Sequence, residues 1–159
     1  RLRTDTARLS RAGFETVVAG GLEAARYVEL VGVVSMVAGV DAFARALGIP
    51  PFLLPEPQAG APSRRRPADV RPGVAWVPMI DPEAAAGPEA DLYPTGGFVP
   101  NIVRALSLVP DEVRMLRRMS AAHYLAVEDI PNPLVRRDLD RAQIELVAAR
   151  VSALNQCFY

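Results

Sequence analysis

The sequence predicts an all-α fold, on three grounds. Apolar residues recur at helical spacing over long runs: Val28, Val31, Met36, Val40, Phe43 and Leu47 in one, and Ile144, Val147, Ala148, Val151 and Leu154 in another. Stop signals follow such runs, as Gly20-Gly21 and as Gly48 with Pro50-Pro51 behind it. No segment alternates apolar and polar residues in the way a half-buried strand requires. Apolar residues make up 50% of the chain and charged residues 23%, which is the balance of a globular protein rather than a disordered one.

The first helix is expected near 6–19, with Asp5 or Thr6 as its cap and Leu9, Phe14 and Val17-Val18 as its apolar stripe. A second is expected near 22–47. Leu30, Val33, Val34 and Val37 fill most of its remaining circumference, so it reads as buried nearly all round. Glu29 in such a helix needs a partner or a raised pKa, and Arg26 on the same helix is the nearest candidate; a structural ion pair is favoured over a proton-handling role. Residues 51–78 are rich in Pro, Gly and Ala and read as irregular linker. Arg64-Arg65-Arg66 reads as a solvated run rather than a phosphate patch, and Trp76 as a pin holding the linker to a core.

Past Pro78 the helices resume. Asp81-Pro82 begins a short one, and "GGFVPNIVRALSLVP" holds loop glycines and then another. A longer helix near 111–125 turns Val113, Leu116, Met119 and Ala122-His123 inward, which makes His123 a core or interface histidine rather than a ligand. "EDIPNP" interrupts, and the last helix is expected near 138–155 with Ile144, Val147-Ala148, Val151 and Leu154 on its core face.

Several function classes are disfavoured. The formal net charge is +0, so nothing points to nucleic acid or an anionic membrane. The chain has no Lys, which removes Schiff-base chemistry, and a single Cys rules out an internal disulfide framework or a Cys-rich zinc site. The strongly apolar run Leu30–Val40 is closed off by Glu29 and Asp41 at about half the ~20 residues of a membrane span. No signal peptide is visible at the charged start, and the expected setting is cytoplasmic.

The final segment, "DRAQIELVAARVSALNQCFY", resembles the helix leading into the redox motif of AhpD-like alkylhydroperoxidases, in the carboxymuconolactone decarboxylase superfamily. Glu145 stands twelve positions before Cys157, the spacing of that family's helix glutamate and first cysteine, and Cys157-Phe158-Tyr159 matches the first three positions of Cys-x-x-Cys. "FVPNIVRALSLVPDEVRML" is similar to the segment before the catalytic helix. "LSRAGFETVVAGGLEAARYVELVGVVSMVAGVDAFARALGIP" is similar to the helices behind a redox motif. The resemblance implies an AhpD-like fold with residues 1–55 as the rear of one repeat, 56–78 as linker, and 79–159 as the front of a second.

It implies further a peroxidase that reduces a hydroperoxide substrate with electrons from a thiol or dithiol donor, working as a homo-oligomer and needing no cofactor and no metal. Cys157 would be the resolving thiol and Glu145 one end of a proton relay. The family's second cysteine and relay histidine would lie past Tyr159, and His123 is not that histidine. Twelve residues of straight helix span ~18 Å, so Asn155-Gln156 must break the helix for the two residues to meet. An expectation attaches to the stop itself: the next codon is an in-frame UGA read as selenocysteine, a selenol being more acidic than a thiol. An ordinary Cys codon there would remove selenium and keep the peroxidase. Two other readings remain open: a non-redox enzyme of the lactone-decarboxylase type, and a helical oligomerisation module without catalysis.

Overall fold

The structure is a computed structural model that describes residues 1–157. Five α-helices carry it: α1 (Arg11–Ala19), α2 (Ala24–Ala46), α3 (Asn101–Arg104), α4 (Pro110–His123) and α5 (Arg141–Leu154). Single 3-10 turns occur at Thr6–Arg8, Pro82–Ala84, Gly87–Glu89 and Val127–Asp129. Among the described residues no strand forms, and the sole extended pairing is one antiparallel bridge between Arg71 and Met79. The all-α expectation therefore holds.

Helix starts follow local chemistry, with one correction. Neither Asp5 nor Thr6 caps α1. The helix begins later, at Ser10, whose hydroxyl accepts from the Gly13 amide at 3.1 Å. Asp5 precedes the separate 3-10 turn and makes no side-chain cap. Helix ends follow the expected glycines. Gly21 (φ 100°) and Gly48 (φ 70°) take the left-handed conformation, and Leu22 and Ile49 then donate back to Val17 and Ala44. This double turn satisfies carbonyls that the helix leaves open, and it costs a glycine little.

The chain forms two compact units, residues 1–116 and residues from Arg117 onward. In the first, Phe14 of α1, Ala25 and Val28 of α2, Val77, Leu108 and Val109 form one buried cluster. Trp76 packs against that cluster, with its ring 6.1 Å from Phe14, as the pin reading expects. The segment 56–78 thus supplies core as well as loop. A polar knot sits at Ile80: the fully buried Ser107 hydroxyl accepts from its amide at 2.8 Å, and Tyr93 donates to its carbonyl at 3.2 Å.

α2 departs from expectation. It is not buried all round, since only Ala25, Val28, Gly32 and Ala44 are buried. Leu30, Val33, Phe43 and Leu47 are 48%, 56%, 49% and 58% exposed. The apolar pattern is present, but the chain supplies too few elements to cover it. By length and composition this 23-residue helix, which holds an 18-residue stretch with a mean hydropathy of 1.6, is long and apolar enough to cross a membrane, because it extends well past the run Leu30–Val40. Both of its interior acids are paired within the unit. Asp41 meets Arg3 at 2.9 Å, and Glu29 meets Arg66 at 3.2 Å. Arg26, the expected partner of Glu29, turns instead to Glu23. The loop arginines are correspondingly less free than a solvated run: Arg65 pairs with Glu89 and Arg66 with Glu29.

Glu112 of α4 reaches into the notch left by Gly32, where a Cβ would collide with its carboxylate. Burial first, then the charges of Glu29 and Asp111, push the Glu112 carboxyl above its ordinary 4.5. The folded state therefore holds this proton more tightly than the unfolded chain. The resulting stability is full below the ordinary glutamate range and is lost as pH rises through the raised value. Glu112→Gln should be more stable than the parent at pH 7 and should flatten the stability profile above pH 4.5. Thermal melts at pH 4 and pH 7 test this. A variant less stable at pH 7 would contradict the account.

Candidate functional site

The second unit gathers the residues that the sequence marked. α5 starts at a capping box: Asp140 accepts from the Gln143 amide at 2.9 Å, and the Gln143 side chain accepts from the Asp140 amide at 3.0 Å. This fixes the first turn and sets Arg141 and Glu145 one turn apart on one face, where i,i+4 side chains meet. The Arg141 guanidinium lies 2.7 Å from Glu145 Oε1. The same guanidinium donates to the carbonyls of Asp129, Ile130 and Asn132 at 3.3, 3.0 and 3.1 Å. Arg141 thus locks the turn after α4 against the start of α5.

Tyr124, just past the end of α4, donates its hydroxyl to Glu145 Oε1 at 2.8 Å. Burial is the largest cause raising the Tyr124 phenol above its ordinary value, followed by its bond to Glu145 and that carboxylate's charge, with Arg141 opposing. The phenol is therefore a protonated donor at neutral pH. Tyr124, Glu145 and Arg141 form a connected triad, in which one carboxylate oxygen accepts from a phenol and a guanidinium. Glu145 is half-exposed and Arg141 mostly covered, with side-chain exposures of 43% and 18%.

Tyr124 of the triad also lines a cavity of about 600 Å³, together with His123, Leu139, Ile144, Val151 and Ser152. His123 was expected as a core or interface histidine, and it is not in the core. It is exposed and lines this cavity, with its Nδ1 3.1 Å from the Met119 carbonyl. The expected core face of α5 is likewise open, with Val147, Val151 and Leu154 at 56%, 52% and 65% exposure and no α5 residue fully buried.

The helix ends at the expected position. α5 ends at Leu154, and Gln156 takes φ 52°. Gln156 donates to Ala153 and Cys157 to Ser152, at 3.2 and 2.9 Å, in the same double turn that closes α1 and α2. Here a glutamine holds a conformation better suited to glycine, at a cost on the order of 1 kcal/mol. Cys157 is a free, exposed thiol. It lies beyond one end of α5 while Glu145 is near the other, and nine residues of helix between Glu145 and Leu154 span about 14 Å. The structure does not bring the two together. Phe158 and Tyr159, which complete the matched part of Cys-x-x-Cys, lie outside the described residues. Among those described, no three His, Cys, Asp or Glu side chains are grouped to hold a metal ion.

Neither Arg141 nor Tyr124 stood out as a site residue in the sequence. The spacing of Arg141 to Glu145 was a usable signal, whereas nothing in the sequence links Tyr124 to a residue 21 positions away. Comparison with family models, with curated proteins and with solved structures gave no match to this chain.

Proposed function

We propose that this chain carries the entry helix and first thiol of an AhpD-like thiol peroxidase site, with Cys157 as the resolving thiol and Glu145 in the proton relay. The observation that supports it is the triad. Glu145, at the family's spacing from Cys157, accepts from a protonated phenol and a guanidinium on a helix that stops just before the thiol. Tyr124 then joins the relay as a proton donor, and Arg141 positions the carboxylate. The substrate is a hydroperoxide. A thiolate attacks its O–O bond to give a sulfenic acid and an alcohol. Cys157 condenses with that sulfenic acid, releasing water and leaving a disulfide, which a donor dithiol reduces; where Cys157 is the single thiol it is itself oxidised, and donor thiol takes the resolving part. No cofactor or metal takes part, and the reducing cytoplasm supplies the dithiol.

With one cysteine in this chain, cumene hydroperoxide should be consumed to at most one equivalent without donor. Added dithiol should restore turnover, and Cys157→Ser should abolish it. Donor-free turnover beyond one equivalent would sink the proposal. Full turnover in Cys157→Ser would sink it as well, and a parent protein that consumes no hydroperoxide above the free-thiol background would favour the non-redox, lactone-decarboxylase type instead.

A second reading, a helical oligomerisation module, is favoured by the uncovered apolar faces of α2 and α5. It predicts sedimentation as an oligomer together with a Cys157 no more reactive to hydroperoxide than free cysteine.

A further inference from the structure

The unit formed by residues 1–116 holds a second cavity, of about 290 Å³. One wall is α2, through Tyr27 and Val31. Facing it are Trp76 and Val77 of the segment that folds back over the core, and Ala105 and Leu106 just after α3. No charged side chain lines it. Aromatic packing fixes two of its walls: Phe14 sits edge-on to Tyr27 at 4.9 Å and tilted to Trp76 at 6.1 Å. The Tyr27 ring and the indole are thereby braced from behind, and the cavity is held open by its own lining. The polar side-chain groups among its lining residues are the Tyr27 hydroxyl and the Trp76 indole N–H, both donors. Burial raises the Tyr27 phenol, which keeps it a neutral donor.

We propose that this cavity binds a neutral, apolar, two-ring-sized molecule carrying one hydroxyl or carbonyl, which accepts a hydrogen bond from Tyr27. Size and polarity select this class. A dry apolar cavity of about 150 Å³ already accommodates benzene, and this one has nearly twice that volume. An ionised head group would find no counter-charge in the lining and would lose its hydration without compensation. A pure hydrocarbon would fill the space but leave the phenol unused. Apolar walls with a few placed polar groups are the usual make-up of a small-molecule site.

The chain has a single Trp, and it lines the cavity, so its emission reports occupancy directly. Borneol, a transparent bicyclic alcohol, and its parent hydrocarbon serve as the probe pair. Borneol is expected to change Trp76 emission saturably below millimolar concentration. Tyr27→Phe should weaken borneol about three- to tenfold, the size of one net hydrogen bond, and should leave the hydrocarbon within about twofold. Ala105→Leu should abolish binding of both by filling the space. Where that variant does not fold, Val31→Phe fills the same space from α2. The proposal is overturned if no saturable change occurs, if either folded filling variant still binds, or if Tyr27→Phe affects both probes alike. It is overturned too if Trp76 emission shifts with protein concentration alone, because a second copy of the chain would then be the occupant.

Discussion

Arg141→Ala is expected to destabilise the unit beginning at Arg117 by about 2–4 kcal/mol, since it removes several charge-assisted hydrogen bonds at one stroke. The side chain is only 18% exposed and holds three carbonyls of the 129–132 turn together with Glu145. Its loss frees that turn and leaves Glu145 with Tyr124 alone. Lysine offers a point charge without the planar fork, so Arg141→Lys should recover less than half of the loss. Amide hydrogen exchange across residues 127–132 separates the two effects. Protection there should fall much further than in the middle of α5. A change under about 0.5 kcal/mol, the level of an ordinary exposed ion pair, would show that Arg141 is only a surface partner of Glu145.

Ser107→Ala should cost about 1–3 kcal/mol although it removes a single oxygen. The Ser107 hydroxyl is 0% exposed, accepts from the Ile80 amide at 2.8 Å and donates to the Arg104 carbonyl at 2.6 Å. Without it the Ile80 amide loses its acceptor. Tyr93→Phe acts on the carbonyl of the same residue, at 3.2 Å, and should cost about 0.5–1.5 kcal/mol. Because both changes loosen the placement of Ile80, their effects should be coupled rather than additive. Chemical denaturation of the two single variants and the double variant measures this. A neutral Ser107→Ala would mean that the knot is not what positions Ile80.

What could be read from the sequence was what neighbours within about four residues decide. The spacing of Val28, Val31 and Met36 specified α2 without knowledge of its surroundings, because helical periodicity is a local property. Gly21 and Gly48 end their helices as expected, since a left-handed φ is a property of the residue itself. A break at Asn155-Gln156 was expected so that Glu145 and Cys157 could meet; the helix does end there, but the two residues stay apart, so the reason for expecting it is not met. The α1 cap shows how narrow that legibility is. Asp5, Thr6 and Ser10 are all good caps, and only the position of Phe14 in the core cluster puts the start at Ser10.

The pairings that make a site came from the tertiary structure. Glu29 could be seen to need a partner, but its partner is Arg66, 37 residues away, rather than Arg26 on its own helix. Glu145 was found by spacing, and Tyr124 only by the return of the chain after α4. Apolar content foretold that α2 and α5 would seek cover, yet whether Leu30, Val33, Val147 and Val151 are covered depends on what packs there, and in this chain they stay exposed. Periodicity states which face of a helix is apolar. It holds no information about the element that meets that face, because such contacts are set by chain reversals whose geometry is not written in the residues they join.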